Sequence, residues 1–347
     1  MGILQAWLTW IVLTMKVLLI CNYRPGVGGI SGQVELLQMH LCAEGHAAEI
    51  FSTKGTLLWR LGMLGRLWRE AKHYDVLHVH CCSGWGFMPA TVGITIGRHL
   101  KKRTVLTYHG GGGERFFDKH LKLVRHYLTR TDRNIVLSGF LAKVFDKHDL
   151  PYAVIPNIIE LDEKCYRKRE SLQPYFICTR AHEPLYNIPC ILRAFRLVQV
   201  KQPEAALTLV GDGSQHAVLV AMARDMNLRN VIFTGRVDNS EIYRQLDKAD
   251  ILLSAPRMDN MPVSLLEAMN AGLLVISSRV GGVPYMIEDG VTGLLFESDN
   301  ADQLAERMLW AITHQPYDIV ANAHAQVYKY RWEYIKKQLY TAYGIPA

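Results

Sequence analysis

The alternation of short apolar segments with helix-like segments constrains the fold of this chain more than any other feature. From Met15 onward, apolar runs bounded by turn residues read as buried strands, and amphipathic stretches lie between them. The runs in the first half are KVLLICN, AAEIFST, DVLHVHC and RTVLTYH. Between the first two, SGQVELLQMHLCAEG predicts a helix that ends at Gly45, since glycine readily follows a helix in the left-handed conformation. Strands that alternate with helices predict parallel sheets covered on both faces.

The same alternation resumes in the second half, after a polar, charged stretch without periodicity at residues 152–174, which we interpret as a linker. Its strand-like runs are YFICTRA, AALTLVGDGS, NVIFTGRV, ADILLSAP, LLVISSRV and TGLLFES. At 347 residues the chain is about twice the length of a typical domain. We therefore predict an α/β protein with two tandem Rossmann-like domains, each a doubly wound parallel sheet, and a ligand cleft between them. The predicted limits are an apolar extension at 1–14, domains at 15–165 and 166–325, and a helical segment at 326–347.

The N-terminal segment MGILQAWLTWIVLTM is apolar but shorter than the roughly 20 residues that span a bilayer. It has neither a basic n-region nor a small-residue cleavage site, so it is a poor signal peptide. We favour Met15 as the true start, and a membrane-touching extension is the alternative.

The net charge of +7 favours anionic partners such as phosphates, nucleic acid or an acidic membrane surface. Ordinary solubility explains this charge equally well. The seven cysteines show no paired or metal-ligand spacing, which indicates reduced core thiols of a cytosolic protein.

The segment RMDNMPVSLLEAMNAG (257–272) begins like a loop and ends like a helix. Pro262 fits the first helical position, where its missing N–H would be unpaired anyway. The next three amides, 263–265, are then free to bind an anion. Glu267 lies roughly 7 Å further along the axis and therefore suits a neutral hydroxyl such as a ribose. Asp259 can accept hydrogen bonds from a second polyol, although a surface acid and a capping acid would give the same pattern.

Two glycine-rich turns follow strands, PGVGGISGQ (25–33) and TLVGDGSQ (208–215). Such turns bring backbone N–H groups close to an anion, although ordinary strand-to-helix turns look alike. In TYHGGGGERFF, His109 ends a strand at the mouth of a sheet; a capped surface histidine is the alternative. His78 and His80 alternate along a strand, which indicates packing or a cleft lining.

Two stretches are basic and amphipathic, LLWRLGMLGRLWREAK (57–72) and ERFFDKHLKLVRHYLTRTDR (114–133). Faces of this kind can lie on an anionic bilayer. Core-facing helices with solvated basic sides explain each of them at least as well.

Together these segments resemble the retaining glycosyltransferases of family 4, which have the GT-B fold. The resemblance runs from Met15 to the end of the chain. Its most specific segments are LTLVGDGS, VIFTGRV, ADILLSAP, MPVSLLEAMNAG and VISSRVGGVPYMIEDGVTGLLF, with GGISG, EGH, YDVLHVH, TYHG and IPNII in the first half. It implies that the first domain binds the acceptor and the second a nucleotide sugar. The closing YRWEYIKKQLYTAY is similar to the family's last helix, which returns to the first domain.

The resemblance also implies roles for individual residues. His109 would contact the donor sugar near the reacting carbon, Arg180 would neutralise the departing phosphate, and Asp259 would contact the sugar. Glu267 would bind the ribose, and Gly281 to Val283 would shape the phosphate side of the pocket. The donor-binding set that it implies is Gly28, Gly29, Gly211, Gly213, Asn260, Met261, Pro262, Val263, Ser264 and Glu267.

The sequence departs from the family pattern in two places. The first acid of the paired-glutamate motif is Asp259, whose reach is one methylene shorter than that of glutamate. The lysine that usually follows the arginine is missing, and TRAHEPLYNIPC offers Tyr186 and Asn187 near that position. We expect Arg257 to substitute for this cation.

The expected activity is transfer of a hexosyl group from a nucleotide sugar, preferably a UDP-sugar, with retention of the anomeric configuration. The expected acceptor is a lipid-linked or cell-envelope glycan or glycolipid, such as a polysaccharide or lipopolysaccharide precursor. We expect a cytoplasmic enzyme with peripheral contact at the anionic inner face of the membrane, and no cofactor, metal or nucleic acid. The alternatives are a soluble acceptor, a nucleotide-sugar epimerase-like enzyme and a non-catalytic nucleotide-binding protein. A dehydrogenase is disfavoured because neither glycine turn is a dinucleotide fingerprint.

Overall fold

The computed structural model describes residues 14–26, 28–55, 57–160 and 165–345, with the side chains of 57–61 and 239 left out. The N-terminal extension, apart from Thr14, therefore lies outside the described residues. The chain divides into two compact units. The first consists of residues up to Tyr108, His120–Ile135 and Ala342–Gly344; the second consists of His109–Lys119, Val136–Thr341 and the residues from Ile345. The domain limits given above stay a prediction.

The first sheet has six strands in the order β2-β1-β3-β4-β5-β6. They are β1 (Lys16–Cys21), β2 (Ala47–Ser52), β3 (Val76–Cys81), β4 (Arg103–Tyr108), β5 (Arg133–Val136) and β6 (Ala153–Val154). The accompanying helices are α1 (Ile30–Ala43), α2 (Leu57–Ala71), α3 (Met88–His99), α4 (Gly113–Leu128) and α5 (Gly139–Lys147). The predicted end of α1 is confirmed, because Gly45 has a φ of 86° and its N–H donates to the Cys42 carbonyl at 3.0 Å.

The second sheet also has six strands, in the order β12-β11-β10-β7-β8-β9. They are β7 (Tyr175–Thr179), β8 (Ala206–Val210), β9 (Val231–Gly235), β10 (Ile251–Ser254), β11 (Leu274–Ser278) and β12 (Leu294–Phe296). The helices are α6 (Ile188–Lys201), α7 (His216–Asp225), α8 (Asn239–Lys248), α9 (Val263–Asn270), α10 (Ala301–His314), α11 (Tyr317–Val327) and α12 (Trp332–Tyr343).

The second sheet is covered on both faces by apolar side chains. Along β7, Phe176 and Cys178 belong to one buried cluster and Ile177 to the other. Its paired strands run parallel, and successive side chains of a strand point to opposite faces. A strand buried on both faces reads as a continuous apolar run, which is why these segments stand out in the sequence. The predicted α/β class with two doubly wound parallel sheets is confirmed.

The stretch interpreted as a linker is partly buried in the structure. The guanidinium of Arg169 is buried and donates to the Ala249 and Ala271 carbonyls at 2.6 and 2.7 Å and to Asp250 Oδ1 at 2.9 Å. Burial lowers the pKa of Arg169 to about 10. The hydrogen bonds compensate the lost hydration of the guanidinium. This arginine therefore anchors the segment to the residues that directly follow α8 and α9.

The end of α12 belongs to the first unit. The Tyr343 hydroxyl lies 2.8 Å from His78 Nδ1, and Arg103 Nε donates to the Ala342 carbonyl at 2.9 Å. His78 and His80 are both buried, in accordance with packing roles.

The two basic stretches form helices that bury one side. In α4, Phe117, Val124 and Leu128 are fully buried, whereas the basic residues are exposed: Arg115, Lys119, Lys122 and Arg125. This is the arrangement of a core-facing helix with a solvated basic side. Membrane contact stays a prediction, and within the described ranges no helix is long and apolar enough to cross a bilayer.

Candidate functional site

The candidate site of the second unit lies at the carboxyl ends of β7 and β10, which are neighbours in the sheet. The chain adds β8 and β9 on one side of β7 and then returns to its other side with β10. Ligands of open α/β sheets bind at such a reversal of strand order, outside the carboxyl ends of the strands. Arg180 directly follows β7, and Asp259 lies in the loop after β10.

Arg180 is the centre of this site. Its Nη2 donates to Asp259 Oδ2, and its Nη1 donates to Ser264 Oγ at 3.2 Å. The guanidinium carbon lies 4.4 Å from the centre of the Tyr186 ring, a cation–π contact. Only 11% of the Arg180 side chain is exposed. The ring contact and two hydrogen bonds leave the guanidinium little freedom of orientation.

Burial and charge shift the pKa of two groups in opposite ways here. Burial lowers the pKa of Arg180, against the opposing influence of Tyr186, Cys178 and Glu267. Burial raises the pKa of Glu267 to about 6, and the charge of Arg180 limits this rise. The structure thus brings together three residues selected from the sequence, Arg180, Asp259 and Glu267. Titratable groups perturbed by burial and by a charge partner are typical of functional sites.

Helix α9 carries Glu267 and begins at Val263, one residue later than predicted, because Pro262 is the N-cap. The Leu265 N–H donates to the Pro262 carbonyl at 3.2 Å. The prediction of three free amides is therefore wrong for Leu265, since the first turn closes as a short i+3 hydrogen bond.

The loop before α9 is braced from several sides. Ser138 Oγ donates to Asn260 Oδ1 at 2.6 Å, and Asn157 Nδ2 donates to the Met261 carbonyl at 3.3 Å. Asn260 and Met261 are both buried. Their side chains hold the loop in place. Ser138 did not emerge from the sequence; its signal there is that it is a polar residue two positions after the end of β5.

Gly281 and Gly282 lie so close to the loop before α9 that neither position has room for a side chain. A Cβ at Gly281 would overlap the Asp259 carbonyl, and one at Gly282 would overlap the Asn260 carbonyl. The Gly282 N–H donates to the Asp259 carbonyl at 2.9 Å. Backbone contact without side chains therefore fixes the position of Asp259.

The glycine turn after β8 packs against the end of β7. Gly211 has a φ of 140°, and a Cβ there would overlap the Arg180 carbonyl; a Cβ at Gly213 would lie 2.6 Å from the His182 carbonyl. These glycines are thus required by backbone packing next to Arg180. Gly28 and Gly29 lie in the first unit, where Gly29 is the N-cap of α1 with a φ of 71°.

His109 belongs to the second unit, and burial lowers its pKa to about 4, so the imidazole is neutral near pH 7. The glycines after it pack against the loop that carries Asp259. A Cβ at Gly111 would lie 3.0 Å from Met258 Cγ and 3.8 Å from the Asn260 nitrogen. The His109 segment and the Asp259 loop therefore adjoin.

The expected substitute for the missing lysine is engaged elsewhere. Arg257 Nη2 donates to Asp299 at 2.8 Å, and its Nη1 donates to the Pro184 carbonyl at 2.8 Å. Its proposed role at a phosphate stays a prediction. His182, two residues after Arg180, stacks on His216 with the two Nδ1 atoms 2.9 Å apart. Burial and then the charge of His216 lower the pKa of His182.

No cluster of three or more His, Cys, Asp or Glu side chains placed to hold a metal ion occurs in the described part of the chain. What this arrangement offers is a buried guanidinium, two carboxylates and a helix N-terminus. Such groups can bind a polyol and stabilise charge on a phosphate.

Two family models match the chain. The model described as Glycosyl transferases group 1 matches residues 166–330, and the one described as Glycosyltransferase Family 4 matches residues 40–163. The D-rhamnosyltransferase WbpZ of Pseudomonas aeruginosa is 30% identical over 292 residues, which cover 78% of this chain and 71% of that protein. The N-acetyl-alpha-D-glucosaminyl L-malate synthase of Bacillus anthracis is 26% identical over 296 residues, covering 79% and 75% respectively.

A solved structure of similar fold is that of Anabaena HepE in complex with UDP-glucose. It has a TM-score of 0.76 and 18% identity, and the match covers 95% of this chain and 99% of that one.

Proposed function

The chain belongs to the group 1 glycosyltransferases, and from this membership we propose that it transfers a hexosyl group from a UDP-sugar with retention of configuration. The proposed acceptor is a lipid-linked or cell-envelope glycan or glycolipid, reached at the cytoplasmic face of the membrane. The observation that carries the donor assignment is the contact of Arg180 with Asp259 and Ser264, beside Glu267.

In the proposed reaction, charge builds on the nucleotide diphosphate as the bond between the sugar and the phosphate breaks. The Arg180 guanidinium stabilises this charge, and its buried setting strengthens the interaction. Asp259 fixes the guanidinium and binds the sugar, and Glu267 binds the ribose. The departing phosphate takes the proton from the acceptor hydroxyl on the same face, which requires neither a side-chain base nor a metal. Neutral His109 contacts the sugar near the reacting carbon.

The proposed acceptor class draws on the exposed basic side of α4 and on the basic residues of α2. A soluble acceptor remains the alternative.

Donor and acceptor are tested together with UDP-, GDP- and ADP-sugars, each assayed for hydrolysis and for transfer in the presence of membrane lipids. We expect UDP-sugars to be consumed fastest and a lipid-soluble product with the donor's anomeric configuration, read by NMR. An inverted product would contradict retention, and transfer only to water-soluble glycans would favour the alternative acceptor. Release of an epimerised sugar, or tight nucleotide binding without turnover, would support an epimerase-like or a non-catalytic protein.

The raised pKa of Glu267 predicts a pH-dependent donor affinity. Above pH 6 the carboxylate is ionised and accepts hydrogen bonds from both ribose hydroxyls; below pH 6 it is protonated and loses part of this capacity. We expect the UDP affinity to fall about tenfold between roughly pH 7 and pH 5, measured by calorimetry. Glu267→Gln should bind more weakly at neutral pH and lack this dependence. Protonation of UDP itself affects both proteins alike, so equal pH profiles would refute the ribose contact.

A further inference from the structure

A second pocket lies wholly within the first unit, at the carboxyl ends of β1, β2 and β3. Its volume is about 450 Å³, and its lining includes Arg24, Lys54, Met63, Leu64, Trp85 and Met88. In the first sheet β1 lies between β2 and β3, so strand order reverses here too. This is the place where open α/β sheets bind ligands. We call it the Trp85 pocket.

Hydrogen bonds between two strand ends hold the polar rim of the Trp85 pocket. Thr53 Oγ1 donates to Asn22 Oδ1 at 2.7 Å, and Ser52 Oγ donates to the Tyr23 carbonyl at 3.1 Å. Arg24 lies shortly after the end of β1, and Lys54 lies shortly after the end of β2. The hydrogen bonds between these strand ends therefore position the backbone that carries both cations.

The two cations of the rim form no ion pair with the carboxylates that the structure describes. The nearby carboxylate of Glu35 accepts from the Tyr23 hydroxyl at 2.6 Å. Among the residues that the structure describes, no carboxylate pairs with the side chain of Arg24 or Lys54, and both are exposed. Two cations on the rim of one pocket, neither paired with a described carboxylate, favour an anion with several acceptor oxygens, such as a phosphate.

The opposite wall of the Trp85 pocket is apolar and open. Trp85 is 88% exposed and Leu64 is 53% exposed, and Met63 and Met88 lie beside them. The turn that carries Trp85 is closed by backbone hydrogen bonds: the Cys82 N–H donates to the Gly86 carbonyl at 3.0 Å, and the Gly86 N–H donates to the Ser83 carbonyl at 3.2 Å. An exposed indole next to a leucine and two methionines fits an apolar ligand segment.

We propose that the Trp85 pocket binds the acceptor, and that the acceptor is a phosphate-bearing lipid. This inference rests on the proposed glycosyltransferase function and specifies its acceptor. Arg24 and Lys54 hold the phosphate, and Trp85 and Leu64 receive the adjoining hydrocarbon. A soluble phosphorylated sugar would not contact the apolar wall, and a neutral glycolipid would not pair with the two cations. The cationic rim and the apolar wall together therefore favour a lipid that carries a phosphate.

The test is direct binding to the full-length protein without donor. The probes are a short-chain dialkyl phosphate below its micellar concentration, a short-chain alkyl glycoside and inorganic phosphate. The variants are Arg24→Gln/Lys54→Gln and Trp85→Ala. The matched controls are Lys201→Gln/Arg224→Gln at exposed positions of the second unit and Tyr334→Ala, which removes an aromatic side chain that is 60% exposed.

We expect Arg24→Gln/Lys54→Gln to weaken dialkyl phosphate binding by at least about tenfold and to leave alkyl glycoside binding unchanged. Trp85→Ala should weaken binding of both alkyl probes, and Trp85→Leu should restore much of it. Inorganic phosphate should bind much more weakly than the dialkyl phosphate. The controls should match the wild type.

Inorganic phosphate binding as tightly as the dialkyl phosphate, with no effect of Trp85→Ala, would overturn the lipid assignment in favour of a free phosphate. Loss of affinity in the controls equal to that in the pocket variants would overturn the site. These outcomes do not depend on whether the protein transfers a sugar, because the binding assay contains no donor. Transfer without probe binding refutes the pocket alone, and probe binding without any transfer refutes the activity.

Discussion

Replacing Arg180 with alanine is expected to lower kcat about a thousandfold or more, the range found when a charge-stabilising group is removed from a transition state. The guanidinium is mostly buried and bound to Asp259 and Ser264, so a water molecule that takes its place carries no charge to the phosphate. Steady-state transfer kinetics with a saturating donor measure the effect. Arg180→Lys should recover little activity, because an ammonium group cannot bind Asp259 and Ser264 in the same plane.

A second readout separates this role from a merely structural one. Arg180 limits the pKa of Glu267, so the Arg180→Ala variant should show donor binding that weakens already above pH 6. The matched control is Arg224→Ala, since that side chain is 81% exposed and pairs only with Asp225 among the ion pairs described. Transfer within tenfold of the wild type in Arg180→Ala would contradict the assignment.

Gly282→Ala is expected to abolish most activity and to destabilise the protein by roughly 2–3 kcal/mol, because the new Cβ would meet the Asn260 carbonyl. The φ of Gly282 is an ordinary −86°, so the effect is purely steric. The loop must shift to relieve the overlap, and Asp259 shifts with it. A displacement of about 1 Å at a catalytic group can cost a hundredfold in rate.

Thermal unfolding and transfer kinetics test this prediction against Gly65→Ala. Gly65 lies on the exposed side of α2 with no atom within 4 Å of an added Cβ. Alanine there should leave activity unchanged and raise stability slightly, since it favours the helix. If Gly282→Ala and Gly65→Ala were equally active, the backbone contact would not position Asp259.

Sequence reasoning succeeded where a pattern has a local cause. The strands of the second sheet are recognisable because burial on both faces makes them continuous apolar runs. The end of α1 is recognisable because a glycine supplies a left-handed residue where the helix stops. Asp259 and Glu267 were selected from the loop-to-helix pattern of residues 257–272, and Arg180 came from the resemblance. Their placement at one sheet edge agrees with the strand order.

Sequence reasoning failed where the cause is distant along the chain. Arg169 stands in a charged stretch typical of a linker, yet its partners Ala249 and Asp250 lie about eighty residues away. Ser138 looks like an ordinary residue after a strand, and its partner Asn260 is 122 residues away. The ion pair of Arg257 with Asp299, 42 residues away, was likewise not visible in the sequence, and the expected role of Arg257 at a phosphate stays a prediction.

The sequence by itself determined the class of fold, the position of most elements and the residue types available for chemistry, because apolar periodicity and turn residues act over a few positions. The tertiary structure decided which groups meet: that Tyr186 stacks on Arg180, that Gly282 sets the Asp259 loop, and that Arg24 and Lys54 face an open apolar wall. The physical reason is that hydrogen bonds, ion pairs and steric contacts depend on distances of a few ångströms between residues far apart in the chain. Local sequence patterns carry no information about those distances.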